Sequence, residues 1–72
     1  ALDGGNDGLD VIRKVIYKAN NILKTNGRLA LEIGNRQLKE VSNILTRNNF
    51  IIEEKLTDFK DNVRCLISKI KR

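Results

Sequence analysis

Few residues in this 72-residue chain could do chemistry, and they fall in three places. The opening stretch, Ala1 to Asp10, sets three aspartates among three glycines. Asp3, Gly4 and Gly5 place a carboxylate beside two residues without a Cβ, a combination that lets the backbone approach a bound molecule closely or simply makes a turn. Glu32 is a carboxylate inside an apolar run, where burial is costly unless it is paired, so it either reaches a substrate side or forms an ion pair with Arg28 or Arg64. Cys65 is the single cysteine and there is no histidine, which leaves no plausible zinc or iron site, no internal disulfide and no neighbour to activate the thiol. Cys65 is therefore expected in the core, resistant to thiol reagents.

Hydrophobic period places these residues on elements. Leu9, Ile12, Ile16, Ala19 and Leu23 recur at helical spacing, with Val11, Val15 and Ile22 widening the stripe, and predict a helix from about Gly8 to Lys24. Asp7 is its expected N-cap, and Asp10 adds negative charge where the helix dipole favours it. Thr25-Asn26-Gly27 supplies the stop, with Gly27 expected to take a positive φ. Arg28 to Ile33 alternates as a strand, with Leu29, Leu31 and Ile33 on one face and Ala30 and Glu32 on the other. A second helix is predicted from Arg36 to Arg47, capped by Asn35, burying Leu38, Val41, Ile44 and Leu45 and ending at Asn48-Asn49.

Phe50 to Leu56 reads as a strand with Phe50, Ile52 and Leu56 inward. Val63 to Ile70 reads as a strand whose centre, Cys65-Leu66-Ile67, is apolar on both faces and so interior. The short polar link between them makes these two strands antiparallel neighbours. If the last strand inserts between the other two, the sheet order is first, third, second, with the two helices expected to cover both faces. The first strand is then an open edge guarded by little except Glu32, and something is expected to lie beside it.

A chain this short is one small domain at most and buries a modest core. Its net charge of +5 comes from Lys and Arg spread over every element, with only three aromatics, which favours a solvated basic surface over a nucleic-acid interface. Only the tail Lys69 to Arg72 is locally basic, and it is expected to be disordered. No apolar run approaches the roughly twenty residues of a membrane span, and no signal peptide is recognisable, so the expected setting is the cytoplasm.

The stretch Ala1 to Asp10, followed by Leu31-Glu32-Ile33-Gly34, then Asn48-Asn49-Phe50 and the segment from Asp58 to Arg64, resembles the C-terminal part of the protein-glutamine methyltransferases of the HemK/PrmC type. The likeness covers essentially the whole chain, and its most specific part is Leu2-Asp3-Gly4-Gly5-Asn6-Asp7-Gly8-Leu9. Asp61 stands where such proteins often carry glycine in the last turn.

The resemblance implies an S-adenosylmethionine-dependent enzyme that methylates the glutamine of the Gly-Gly-Gln motif in peptide-chain release factors. It also implies a class I methyltransferase fold, a Rossmann-like α/β sheet whose antiparallel last strand is inserted between the two before it. Residues 1–72 would be a single partial domain, the C-terminal portion of the catalytic domain. The family's glycine-rich cofactor turn and its Asn-Pro-Pro-Tyr motif do not occur in this sequence. The chain alone is thus expected to hold neither cofactor nor catalytic residues, and its partners would be the N-terminal half of the same enzyme and, for the whole, a release factor. Asp3, Gly4, Gly5 and Glu32 are the residues expected on the substrate side. The alternative is a self-standing basic α/β module that binds RNA or a protein partner.

Overall fold

The computed structural model of the chain describes residues 8–34 and 36–72. The elements are α1 (Asp10–Ile22), β1 (Arg28–Glu32), α2 (Leu38–Arg47), β2 (Phe50–Thr57) and β3 (Val63–Ile70). β3 lies between β1 and β2 and runs antiparallel to both. The inserted position expected for the last strand is therefore the observed one.

The helices are shorter than their apolar periods suggest. Leu9 stands at the N-cap of α1 with no side-chain hydrogen bond, and the expected cap, Asp7, lies outside the described residues. α2 starts at Leu38 rather than Arg36, because Arg36 takes a left-handed φ of 66° that cannot join a right-handed turn. Asn35, its expected cap, lies outside the described residues, and Gln37 holds the cap position. At the other end Asn49 adopts φ 65° just past Asn48, the left-handed stop usually given to glycine.

Two end devices are long-range. The last turn of α1 has no basic residue, and the guanidinium of Arg72 donates instead to its terminal carbonyls, from Nε to Leu23 O at 3.2 Å and from a terminal nitrogen to Asn20 O. With the Lys71 amide donating to Asn49 O at 2.7 Å, the basic tail is tied down and not loose. The turn after α1 also departs from expectation. Asn26 takes the positive φ, 67°, while Gly27 is needed for space: a Cβ there would sit 2.9 Å from the Lys24 carbonyl oxygen.

Both helices pack on the same face of the sheet, in contrast to the coverage of both faces expected from the sequence. Ile16, Val41, Leu45, Leu66 and Ile70 are fully buried between the layers, with Leu9, Ala19, Ile33 and Phe50 around them. Each such aliphatic side chain contributes about 1.5–3 kcal/mol on leaving water. The Cα envelope is only 14 Å deep, a single helix layer on a single sheet. Alternation turns Ala30, Cys65 and Ile67 to the opposite, open face, so Cys65 is half-buried rather than core even though its strand is central.

Leu56 joins that open face and is 44 % exposed, against the inward position expected. The cause is a β-bulge at Glu53, which slips the pairing by one residue and reverses the facing of everything after it. Val11, Val15 and Ile22, expected to widen the core stripe, stand at 66 %, 40 % and 68 % exposure on the flank of α1.

One polar group sits inside the core. Ser68 is fully buried on the inner face of β3, and among the described residues its hydroxyl has no hydrogen-bond partner. An unpaired buried hydroxyl costs about 1–3 kcal/mol. Ser68→Ala is therefore expected to raise the unfolding free energy by about 1 kcal/mol in urea titration; a loss of stability would mean that the hydroxyl is satisfied.

Candidate functional site

The two glycine-bearing loops meet at the carboxyl end of β1. The Ile33 amide continues the ladder by donating to Arg64 O at 3.0 Å, and the chain then turns at Gly34. Gln37, three residues on, closes this turn from both sides. Its side-chain Oε1 accepts from the Gly34 amide at 2.7 Å, and its own amide donates to Gly34 O at 3.3 Å. Gly8, the last residue of the opening loop, has φ 71°, and a Cβ on it would lie 3.6 Å from Gln37 Nε2. Gly8 and Gly34 thus converge on one side-chain amide beside the N-terminal ends of both helices.

Strand ends of this kind are where open α/β sheets bind ligands. The loop joining β2 to β3 completes the same edge of the sheet. Its organiser is Asp58, whose Oδ1 accepts from the Lys60 and Asn62 amides at 2.8 and 3.0 Å, while Oδ2 accepts from Arg64 Nε at 2.9 Å. The Asp61 amide donates to Asp58 O, and Asp61 itself takes φ 66°. Aspartate tolerates that conformation better than most residues, so the turn keeps a glycine-like geometry without a glycine.

Of the residues singled out by sequence, Asp3, Gly4 and Gly5 lie outside the described residues. Glu32 is exposed on the open face, opposite Cys65, so the sheet separates its side chain from the Gly8–Gly34–Gln37 corner. Arg28 and Arg64 are engaged elsewhere: Arg28 Nε meets Glu53 Oε1 at 2.7 Å, and Arg64 binds Asp58. The bulge residue Glu53 thereby links the two outer strands across β3. Its hydrogen bond to Arg28 holds the Glu53 carboxyl below the usual range and Arg28 above it.

Gln37 escaped the sequence reading. The signal was an amide three residues after a strand-ending glycine, a spacing that lets one side chain cap a turn. The corner holds amides and glycines and, among its described residues, no titratable side chain. Such a set can position a polar group and exclude water but cannot move a proton.

Asp58 has its carboxyl lowered, first by the Asn62 amide and then by Arg64 and the Lys60 amide, against a desolvation effect second in size only to the Asn62 hydrogen bond. A lowered carboxyl stabilises the fold above its unfolded-state pKa, and that contribution is lost as pH falls through the lowered value. A carbon-detected carboxyl titration should place the Asp58 midpoint below that of an unstructured aspartate. Asp58→Asn should remove this part of the acid sensitivity of the loop; an ordinary midpoint would refute the hydrogen-bond network.

No family model matches the chain, and no solved structure does. Curated relatives do. A release factor glutamine methyltransferase of Clostridium acetobutylicum is 44 % identical over 59 residues, 82 % of this chain and 21 % of the relative. The protein of the same name from Fusobacterium nucleatum is 42 % identical over 69 residues, 96 % of this chain and 20 % of the relative. That of Thermodesulfovibrio yellowstonii is 40 % identical over 67 residues, 93 % of this chain and 24 % of the relative. The chain spans about a fifth of the length of these relatives. With identity of 40 % to 44 % over 82 % to 96 % of its length, the chain belongs to the release factor glutamine methyltransferase family.

Proposed function

We propose that residues 1–72 form one incomplete domain, the C-terminal portion of a cytoplasmic S-adenosylmethionine-dependent methyltransferase. Its reaction is methylation of the glutamine side-chain amide in the Gly-Gly-Gln motif of release factors. The observation that carries this reading is identity to named release factor glutamine methyltransferases over 82 % to 96 % of the chain. The inserted antiparallel β3 supports the class I methyltransferase sheet.

The outer edge of β1 supports incompleteness. Among the described residues β1 pairs only with β3, so its other edge is bare. Beside it runs an apolar groove of about 300 Å³ lined by Val15, Lys18, Ala19, Ile22, Leu23 and Leu29. The remaining four-fifths of such an enzyme would cover this edge and flank. Val15 and Ile22 then become buried, as their apolar character demands.

The cofactor does not fit the described residues. The strand–turn–helix at Gly34 has a single glycine, and Gln37 fills the space above it, 3.4 Å from where a Cβ would stand. S-adenosylmethionine would therefore be held by the rest of the enzyme, where it supplies the methyl group. The part of this chain is positioning. A weakly nucleophilic amide needs in-line placement and exclusion of water more than an acid–base pair. Asp3, Gly4 and Gly5, which precede Gly8 in the sequence, and Glu32, on the open face at the carboxyl end of β1, are the residues proposed to meet the release factor.

A chimera tests this. With this chain in place of the matching stretch of the Clostridium acetobutylicum relative, the protein should methylate the release-factor glutamine, as read by mass spectrometry. The 72-residue chain alone should neither methylate it nor bind S-adenosylmethionine in a calorimeter. A micromolar Kd for the chain alone, or a chimera that binds S-adenosylmethionine yet leaves the glutamine unmodified, would overturn the assignment. In the isolated chain, amides of β1 should exchange faster than those of β3, which has neighbours on both sides. Equal protection of the two strands in a monomeric sample would count against a bare edge.

A further inference from the structure

On the reading that this chain is part of a release factor methyltransferase, we propose that Phe59 is an apolar anchor for the substrate protein. It stands on the loop joining β2 to β3 and enters a recess on the folded release factor, outside the Gly-Gly-Gln motif. Its effect is to select the intact protein over a short peptide.

Phe59 is 94 % exposed, the most exposed of the large apolar side chains among the described residues. On a loose loop such a ring could fold back onto the surface. Here the backbone on both sides of it is fixed. Asp58 Oδ1 accepts from the Lys60 and Asn62 amides, Asp58 Oδ2 accepts from Arg64, and the Asp58 and Asp61 amides donate to Asn62 O and Asp58 O at 2.9 and 3.0 Å. The ring is thus held in water before anything binds, and little ordering entropy remains to be lost on contact.

The surroundings of the ring indicate what it can meet. From Asp58 to Arg64 the loop carries two acids and two bases, so it offers an aromatic ring and no net charge. Lys60 Nζ lies 6.0 Å from the ring centroid, at the outer limit of a cation–π contact, and leaves the ring open. A neutral loop with one projecting aromatic suits an apolar recess in a protein, because aromatic side chains are enriched in the cores of protein interfaces. A nucleic-acid strand would need a basic track and successive stacking rings, which this loop lacks.

Position selects the partner. The loop leaves the sheet at the carboxyl end of β2, on the edge shared with the Gly8–Gly34–Gln37 corner, the side on which open α/β sheets meet their ligands. It lies two strands away from the bare outer edge of β1, where the rest of the enzyme would join.

The test uses the chimera described above, with the Clostridium acetobutylicum release factor and a synthetic peptide spanning the Gly-Gly-Gln motif as alternative substrates. Phe59→Ala should raise KM for the intact release factor about tenfold with kcat retained. Kinetics on the peptide and the calorimetric affinity for S-adenosylmethionine should stay as they were. Phe59→Leu should recover part of the loss, and Tyr17→Ala, which removes another exposed aromatic from α1, should change neither substrate. Thermal unfolding of the Phe59→Ala chimera should match that of its parent. A clear fall in Tm would mean that the ring packs against the rest of the enzyme and would overturn the proposal. So would an unchanged KM for the intact protein, equal losses on protein and peptide, or weakened S-adenosylmethionine binding. Failure of the methyltransferase assignment looks different: the parent chimera, with Phe59 intact, would leave the glutamine unmodified, and the proposed contact would fall with it.

Discussion

Everything in this fold hangs on β3 having to satisfy two neighbours and one helix layer at once. Its backbone pairs with β1 on one side and β2 on the other, and its inner face sends Leu66, Ser68 and Ile70 into the core. Phe50 lies opposite Ile70 and Leu31 opposite Leu66, so the register that forms the ladder also assembles the apolar layer. Slip β3 by one residue and Cys65, Ile67 and Lys69 would turn inward, bringing the Lys69 charge into the apolar layer. The helices then have one place to go, over the side where Ile16, Val41 and Leu45 meet that layer.

Element type and strand order were legible because both rest on period. Leu9, Ile16 and Ala19 mark a helix whatever surrounds them, and the doubly apolar centre of β3 marks a strand with neighbours on both sides. What escaped were departures from period. The bulge at Glu53 cannot be seen in Phe50 to Leu56, which alternates acceptably without it, and so Leu56 was placed on the wrong face. Asn26 rather than Gly27 took the left-handed turn because asparagine also tolerates it, while the glycine answered a close approach of the Lys24 carbonyl that only three dimensions reveal. At the site, the glycines of the two loops were visible, but their shared contact with Gln37 depends on how β1 and α1 are brought together.

The two faces of the sheet differ in kind. One is closed by the helices, and the other presents Ala30, Ile51, Leu56, Cys65 and Ile67 under a rail formed by the Arg28–Glu53 pair. An apolar sequence at the centre of a strand therefore meant burial on one side only. The same asymmetry appears along α1, where the inner stripe is core while Val11, Val15 and Ile22 line the outside. Apolar content was read correctly, and its destination was not, because a period fixes which residues share a face but not what lies against it.

The position of β3 also sets an order of events during synthesis. Among the described residues β1 has no strand neighbour but β3, which is made after every other element. At about 5–20 residues per second, the β1 segment leaves the ribosome several seconds before its partner exists. Its contacts across that gap are non-local, the kind that form slowly because loop-closure entropy must be overcome first. The α1 terminus waits as well, since its carbonyls receive Arg72. In the enzyme proposed above, the part synthesised earlier would cover the outer edge of β1 and the apolar flank of α1 during that interval.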